Sequence, residues 1–142
     1  MAGSSWRNIA ATLAAELIYQ QCTEHRDLVD DCPACADRAA MNAYRAASDA
    51  DTQRRRTRNE WLHVAYTLGA RMRNHANACT DHPQRLEPYG TCPFCDETRA
   101  WRSFAKKATA EGLRLPDQDH YDMLNAGHSV NVFDVIQTKD PQ

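Results

Sequence analysis

The chain has 142 residues, 42% of them hydrophobic and 25% charged, enough for one modest core and ordinary for a globular protein. No apolar run approaches the roughly 18 residues of a membrane span, and the start of the chain lacks a secretory leader's pattern. A cytoplasmic protein without a membrane partner is therefore expected. The formal net charge of −2 predicts no general attraction to polyanions, so nucleic-acid contact would need a local basic patch.

The first predicted helix covers residues 5–21, with Ile9, Leu13, Leu17 and Ile18 as its apolar stripe and Ser4 or Ser5 as its cap. After a polar turn, Pro33 suits a first helical position, and the segment PACADRAAMNAYRAA has strong alanine-driven helix propensity. From Ser48 to Asn59 the chain turns polar. A third helix follows, striped by Trp61, Val64, Ala65, Leu68 and Met72; Gly69 weakens it unless a neighbouring helix approaches closely there. A fourth begins at Pro93, buries Trp101, Phe104, Ala105 and Ala108, and ends near Gly112. The tail holds a short helix between Asp117 and Gly127, then SVNVFDVIQ, whose β-branched residues suit a strand or an extended arm.

Every cysteine falls in one of two related phrases, CTEHRDLVDDCPAC from Cys22 and CTDHPQRLEPYGTCPFC from Cys79. The ligand patterns are C-x2-H-x6-C-x2-C and C-x2-H-x9-C-x2-C. Two close pairs joined by a loop can close a tetrahedron, and three cysteines with one histidine are an ordinary structural zinc set. The expected ligands are Cys22, His25, Cys32 and Cys35 in one site, and Cys79, His82, Cys92 and Cys95 in the other, for two zinc ions. Cys32 and Cys92 each precede a helix-starting proline, where free N–H groups and the helix dipole favour a thiolate. Loading two such sites would move the net charge from −2 to about −4. A redox dithiol would leave the Cys-x2-His pairs unexplained, and iron–sulfur ligation by this set is less common. No H-x-E or H-E-x-x-H element accompanies the cysteines, and four protein ligands leave no open metal position, so no enzyme is expected.

The likeness extends past the ligands: Met41 aligns with Trp101 and Tyr44 with Phe104, spaced for one buried helix face. The fold expected is all-α: a four-helix antiparallel bundle of two duplicated helix–zinc turn–helix units, about 5–50 and 58–112. These make one domain over residues 1–112, with 113–142 as an extension. An up-down path would put both metal turns at one end and the arginine run at the other. In the alternative geometry, no proline or glycine interrupts 34–68, and a fused rod would span roughly 66 Å from Cys35 to Cys79. That rod would leave apolar stripes for a homodimer to cover.

Arg54, Arg55, Arg56 and Arg58 form the clear basic cluster, balanced by Asp49, Asp51 and Glu60. It suits either a solvated face or phosphate contact in a nucleic-acid-binding transcriptional regulator. His63, His75, His120 and His128 read as surface or boundary residues, and Trp6, Trp61 and Trp101 as core. Paired helices pinned by a Cys3His turn, over residues 9–45 and 66–108, resemble TAZ-type zinc fingers of transcriptional coactivators. That family opens its motif with His-x3-Cys where this chain has Cys-x2-His, so no residue role is carried over. What the resemblance implies is a scaffold presenting helix grooves to flexible partners. The function expected is a small zinc-binding adaptor or regulator working through a protein partner. Arginine outnumbers lysine 14 to 3, a bias of GC-rich genomes such as those of actinobacteria and their phages.

Overall fold

The structure, a computed structural model, describes residues 5–18, 22–73, 81–82 and 85–129. All regular elements in them are helices: α1 (Trp6–Leu17), α2 (Pro33–Gln53), α3 (Arg58–Met72), α4 (Pro93–Ala110) and α5 (Gln118–Asn125). Helix α1 has Ile18 as its C-cap, and the end expected at residue 21 lies outside the described residues. Ser5 caps it, its Oγ accepting from the Asn8 N–H at 3.2 Å. The expected strand or arm of the tail lies outside the described residues beyond Ser129.

Helices α2 and α3 are separate, which removes the fused rod. Arg54 is extended, and its neighbour Arg56 donates its backbone N–H to Asp51 Oδ1 at 2.6 Å. Thr57 and Glu60 then form a reciprocal cap: the Thr57 N–H reaches Glu60 Oε1 at 2.7 Å, and the Glu60 N–H reaches Thr57 Oγ1 at 3.1 Å. Two orphan N–H groups are satisfied, so α3 starts cleanly without proline or glycine. Helix α4 ends as its glycine implies. Gly112 sits at φ 76° while Leu113 N–H bonds Ala108 O at 2.9 Å and Gly112 N–H bonds Thr109 O at 3.1 Å, and Leu113 is buried beneath the turn.

The helices run up, down, up and down. At one end, the starts of α1 and α3 meet the ends of α2 and α4. There Arg7 pairs with Asp51 at 3.7 Å, Trp6 Nε1 donates to Glu111 Oε1 at 3.0 Å, and Arg58 pairs with Glu111. Both metal turns lie at the other end. The bundle is flattened: the diagonal pair α1 and α3 pack most extensively, α4 lies on α1, and α2 lies on α3. Helices α2 and α4 do not meet among the described residues. Small buried residues, Ala10 and Ala14 on α1 and Ala65 on α3, permit that close diagonal.

Phe104 is the hub of the core, with its ring centroid 6.0 Å from Trp6, 6.0 Å from Tyr66 and 5.5 Å from Trp101. It also explains Gly69, because a Cβ there would stand 2.6 Å from Phe104 Cζ. The close approach therefore outweighs glycine's weak helix propensity. Burial raises the Tyr66 phenol well above its usual range, and its hydroxyl donates to Arg114 O at 2.7 Å, tying the linker after α4 to α3.

A residue that the sequence reading did not single out is Arg71, fully buried on α3. Its Nε meets Asp37 Oδ1 at 2.6 Å, its Nη2 donates to Pro33 O at 3.0 Å, and its Nη1 donates to Tyr121 O at 3.2 Å. The guanidinium also lies 3.9 Å from the Tyr121 ring centroid. One side chain thus clamps α3, the first turn of α2, and α5. His120 is a departure: it is buried, 5.8 Å from Tyr66, and its Nδ1 accepts the Asp117 N–H at 3.1 Å as part of the α5 cap.

Arg71→Met takes the guanidinium away from the buried Asp37 carboxylate, and is expected to cost about 3–5 kcal/mol. Urea unfolding should recover much of that loss in Arg71→Met/Asp37→Leu; equal stability of wild type and Arg71→Met would contradict the clamp.

Candidate metal centres

The first cluster is assembled from the turn after α1 and the start of α2. Cys32 is the N-cap of α2, with Pro33 at its first turn, so the chain enters the helix already aimed back at the turn. The Cys35 N–H donates to Cys32 Sγ at 3.4 Å. His25 Nδ1 lies 3.4 Å from both Cys22 Sγ and Cys35 Sγ. The donor atoms of Cys22, His25, Cys32 and Cys35 all fall within 4.8 Å of one another. A tetrahedral ion with metal–sulfur bonds of about 2.3 Å and metal–nitrogen bonds of about 2.0–2.1 Å places sulfur and nitrogen roughly 3.6 Å apart. These residues can hold such an ion.

Electrostatics within the cluster favour a cation. The Glu24 N–H foremost, with help from His25 and Cys35, brings the Cys22 thiol down to about 7. At Cys35 the Val29 N–H pulls downward, but desolvation and the neighbouring Cys32 and Cys22 sulfurs outweigh it and raise the thiol. Thiolates so close suppress one another's ionisation, a penalty that a bound divalent ion reverses.

The second cluster has the same construction. Cys92 is the N-cap of α4 with Pro93 in its first turn. His82 Nδ1 lies 3.3 Å from Cys95 Sγ, and the donor atoms of His82, Cys92 and Cys95 are within 4.8 Å of one another. The Glu87 N–H donates to Cys95 Sγ at 3.4 Å. Cys79, the expected fourth ligand, lies outside the described residues, as does His75. The described cysteines are free of disulfides.

An arginine from the following helix pins each turn, a feature the sequence reading missed. Arg38 donates to His25 O at 2.9 Å and Arg26 O at 3.0 Å. Arg99 donates to Glu87 O and pairs with Asp96 at 3.0 Å, while the Asp96 carboxylate accepts the Gly90 N–H at 3.2 Å. The signal was present as an arginine one turn beyond each C-P-x-C. The first turn is also held from outside. The Asp31 N–H donates to Asn125 O at 2.5 Å, and Gly127, at φ 89°, sits where a Cβ would be 2.3 Å from Asp30 Oδ1.

Arg54, Arg55, Arg56 and Arg58 are at the opposite end. Arg54 and Arg56 pair with Glu60 at 3.4 and 3.3 Å, and Arg58 with Glu111. Arg7 and Lys107 join them there, two cations the sequence reading did not group with the run. His63 and His128 are exposed and lie outside both clusters. None of the helices is long and apolar enough to cross a membrane among the described residues. No family model, curated protein or solved structure matches this chain.

Arg38→Ala leaves all four donors in place but frees the turn carrying His25. Metal retention at the first cluster is expected to weaken by about 10–100-fold, measured by competition with a chromogenic chelator. Unchanged retention would remove Arg38 from the metal centre.

Proposed function

We propose that the protein is a non-enzymatic, zinc-stabilised adaptor or regulator acting through protein contacts, built from two copies of one helix–zinc turn–helix unit. Zinc suits the donor set: borderline-soft, indifferent to d-electron geometry, and readily tetrahedral with three thiolates and an imidazole. With Cys79 as fourth ligand of the second cluster, neither ion keeps an open position for substrate. Two units are supported by contacts that repeat at fixed offsets. A shift of about 60 positions carries Cys32, Cys35, Tyr44 and Asp51 onto Cys92, Cys95, Phe104 and Glu111; one of about 55 carries Trp6 and Leu13 onto Trp61 and Leu68. Trp6 meets Phe104 at 6.0 Å and Trp61 meets Tyr44 at 6.2 Å. The Trp6 side chain bonds Glu111, and the Trp61 side chain bonds Asp51.

The observation that carries the adaptor reading is a difference between the halves. Under the same shifts, Arg71 and Asp37 correspond to Glu16 and Glu97. Beside the first Cys/His cluster, Arg71 of α3 is internal against Asp37 of α2, and α5 covers it. Beside the second, Glu16 of α1 and Glu97 of α4 are only 9% and 5% exposed, and the hollow there, about 500 Å³, is also lined by Tyr89, Phe94 and Asp96. Burial first, then the Asp96 charge, raises the Glu16 carboxyl above its usual range, against a hydrogen bond from Tyr89. Tyr89 is 71% exposed and Phe94 50%. Arg99 already pairs with Asp96 at the edge of this site, and acidic groups under an aromatic rim complement a short helical segment of a partner that brings a further arginine or lysine.

Two outcomes are expected. Elemental analysis should find two zinc ions per chain, one after Cys79→Ser, and chelation should abolish most helicity in far-UV circular dichroism. Retained helicity with both ions removed would contradict zinc as the stabiliser. Displayed helical peptides selected on the zinc-loaded protein should carry a basic residue beside apolar ones, and lose binding by about tenfold or more with Phe94→Ser or Glu97→Gln. Selection of acidic peptides, or binding indifferent to both changes, would overturn this docking face.

A further inference from the structure

The end of the bundle remote from the metal clusters has a chemistry of its own, independent of the adaptor reading. A bowl of about 460 Å³ opens there between the starts of α1 and α3 and the end of α4. Arg7, Arg55, Arg56, Arg58 and Lys107 line it, and no carboxylate does. Trp6 and Trp61 form its floor, both nearly fully buried. The acids of this end, Asp49, Asp51, Glu60 and Glu111, lie outside the lining, and the last three are each engaged by cations or backbone N–H groups. With Arg54 included, six cations face four carboxylates, so this end is locally positive in a chain of net charge −2.

We propose that this bowl is a binding site for a small anion carrying two or more phosphate groups. Guanidinium groups present paired N–H donors that match phosphate oxygens, and several converging from different elements can clamp adjacent phosphates together. The dipoles of α1 and α3, which both begin here, add to the same field. Arg55 is exposed and makes no ion pair among the described residues, so it can engage a ligand without breaking an internal bond. The bowl is concave and closed below by two indoles, a shape suited to a compact ligand. An extended nucleic-acid backbone would instead need cations continuing beyond the rim.

Arg54 separates these two geometries, because it belongs to the same run but does not line the bowl. The experiment titrates pyrophosphate into the zinc-loaded full chain and follows tryptophan fluorescence and heat. Saturable binding is expected, weakening as salt rises. Arg55→Ala should lower affinity by about tenfold. Arg54→Ala should change it by no more than about twofold. A mixed-sequence oligonucleotide should bind no tighter than pyrophosphate. No response at millimolar pyrophosphate, or equal binding by wild type and Arg55→Ala, would overturn the site. Tighter oligonucleotide binding that depends equally on Arg54 and Arg55 would replace it with a nucleic-acid surface. Circular dichroism of each variant verifies that it keeps the wild-type fold.

Discussion

The buried guanidinium of Arg71 is the interaction on which the arrangement of the metal end depends. A charge removed from water is tolerated only when its hydrogen-bonding capacity is met, and here it is met by three different elements. Asp37 and the Pro33 carbonyl belong to the first turn of α2, the same turn that delivers Cys32 and Cys35 to the first metal cluster. Tyr121 belongs to α5. The position of α2, the direction of α3 and the seating of α5 are therefore solved together. Displacing one of them leaves an unmet charge in the interior.

Charge is sorted along the bundle axis. Glu16, Asp96, Glu97, Asp30 and Asp31 lie at the Cys/His end, where Arg38, Arg71 and Arg99 are held in internal bonds, and Arg7, Arg54, Arg55, Arg56, Arg58 and Lys107 gather at the other. The up-down path produces this sorting from a sequence whose net charge is nearly neutral. Each end consequently presents a field that the average composition hides. The ends also differ in the interactions that hold them. Side-chain and backbone hydrogen bonds fix the metal turns, whereas ion pairs with substantial solvent exposure line the basic end.

Much of this was legible in the residues because local chemistry dictated it. The C-P-x-C pairs foretold both helix starts, Gly112 and Gly127 both helix ends, and the Cys-x2-His spacing brought the first cluster together as expected. Thr57 and Glu60 announced the break between α2 and α3, although reading only for proline and glycine overlooked them. Residues 48–53 looked like a linker because they lack an apolar stripe, yet they extend α2, since nothing there breaks a helix. Arg71 was hidden for a different reason. A charged side chain reads as solvent-facing unless its distant partners are known, and Asp37, Pro33 and Tyr121 are all remote in sequence. Its position three residues after Leu68 and next to Met72, on the buried face, was the available clue.

The flattened bundle also makes the two halves interdependent. Helix α1 packs more on α3 and α4 than on α2, its own partner across the first metal turn, and α3 packs more on α1 and α2 than on α4. Each half's hydrophobic stripe is closed by the other half, as in an intertwined dimer whose subunits happen to share one chain. The link at residues 54–57 then serves as a tether that raises the local concentration of the second half, while the interlocked helices supply the cohesion. In topological terms neither helix pair, α1 with α2 or α3 with α4, has a closed core of its own.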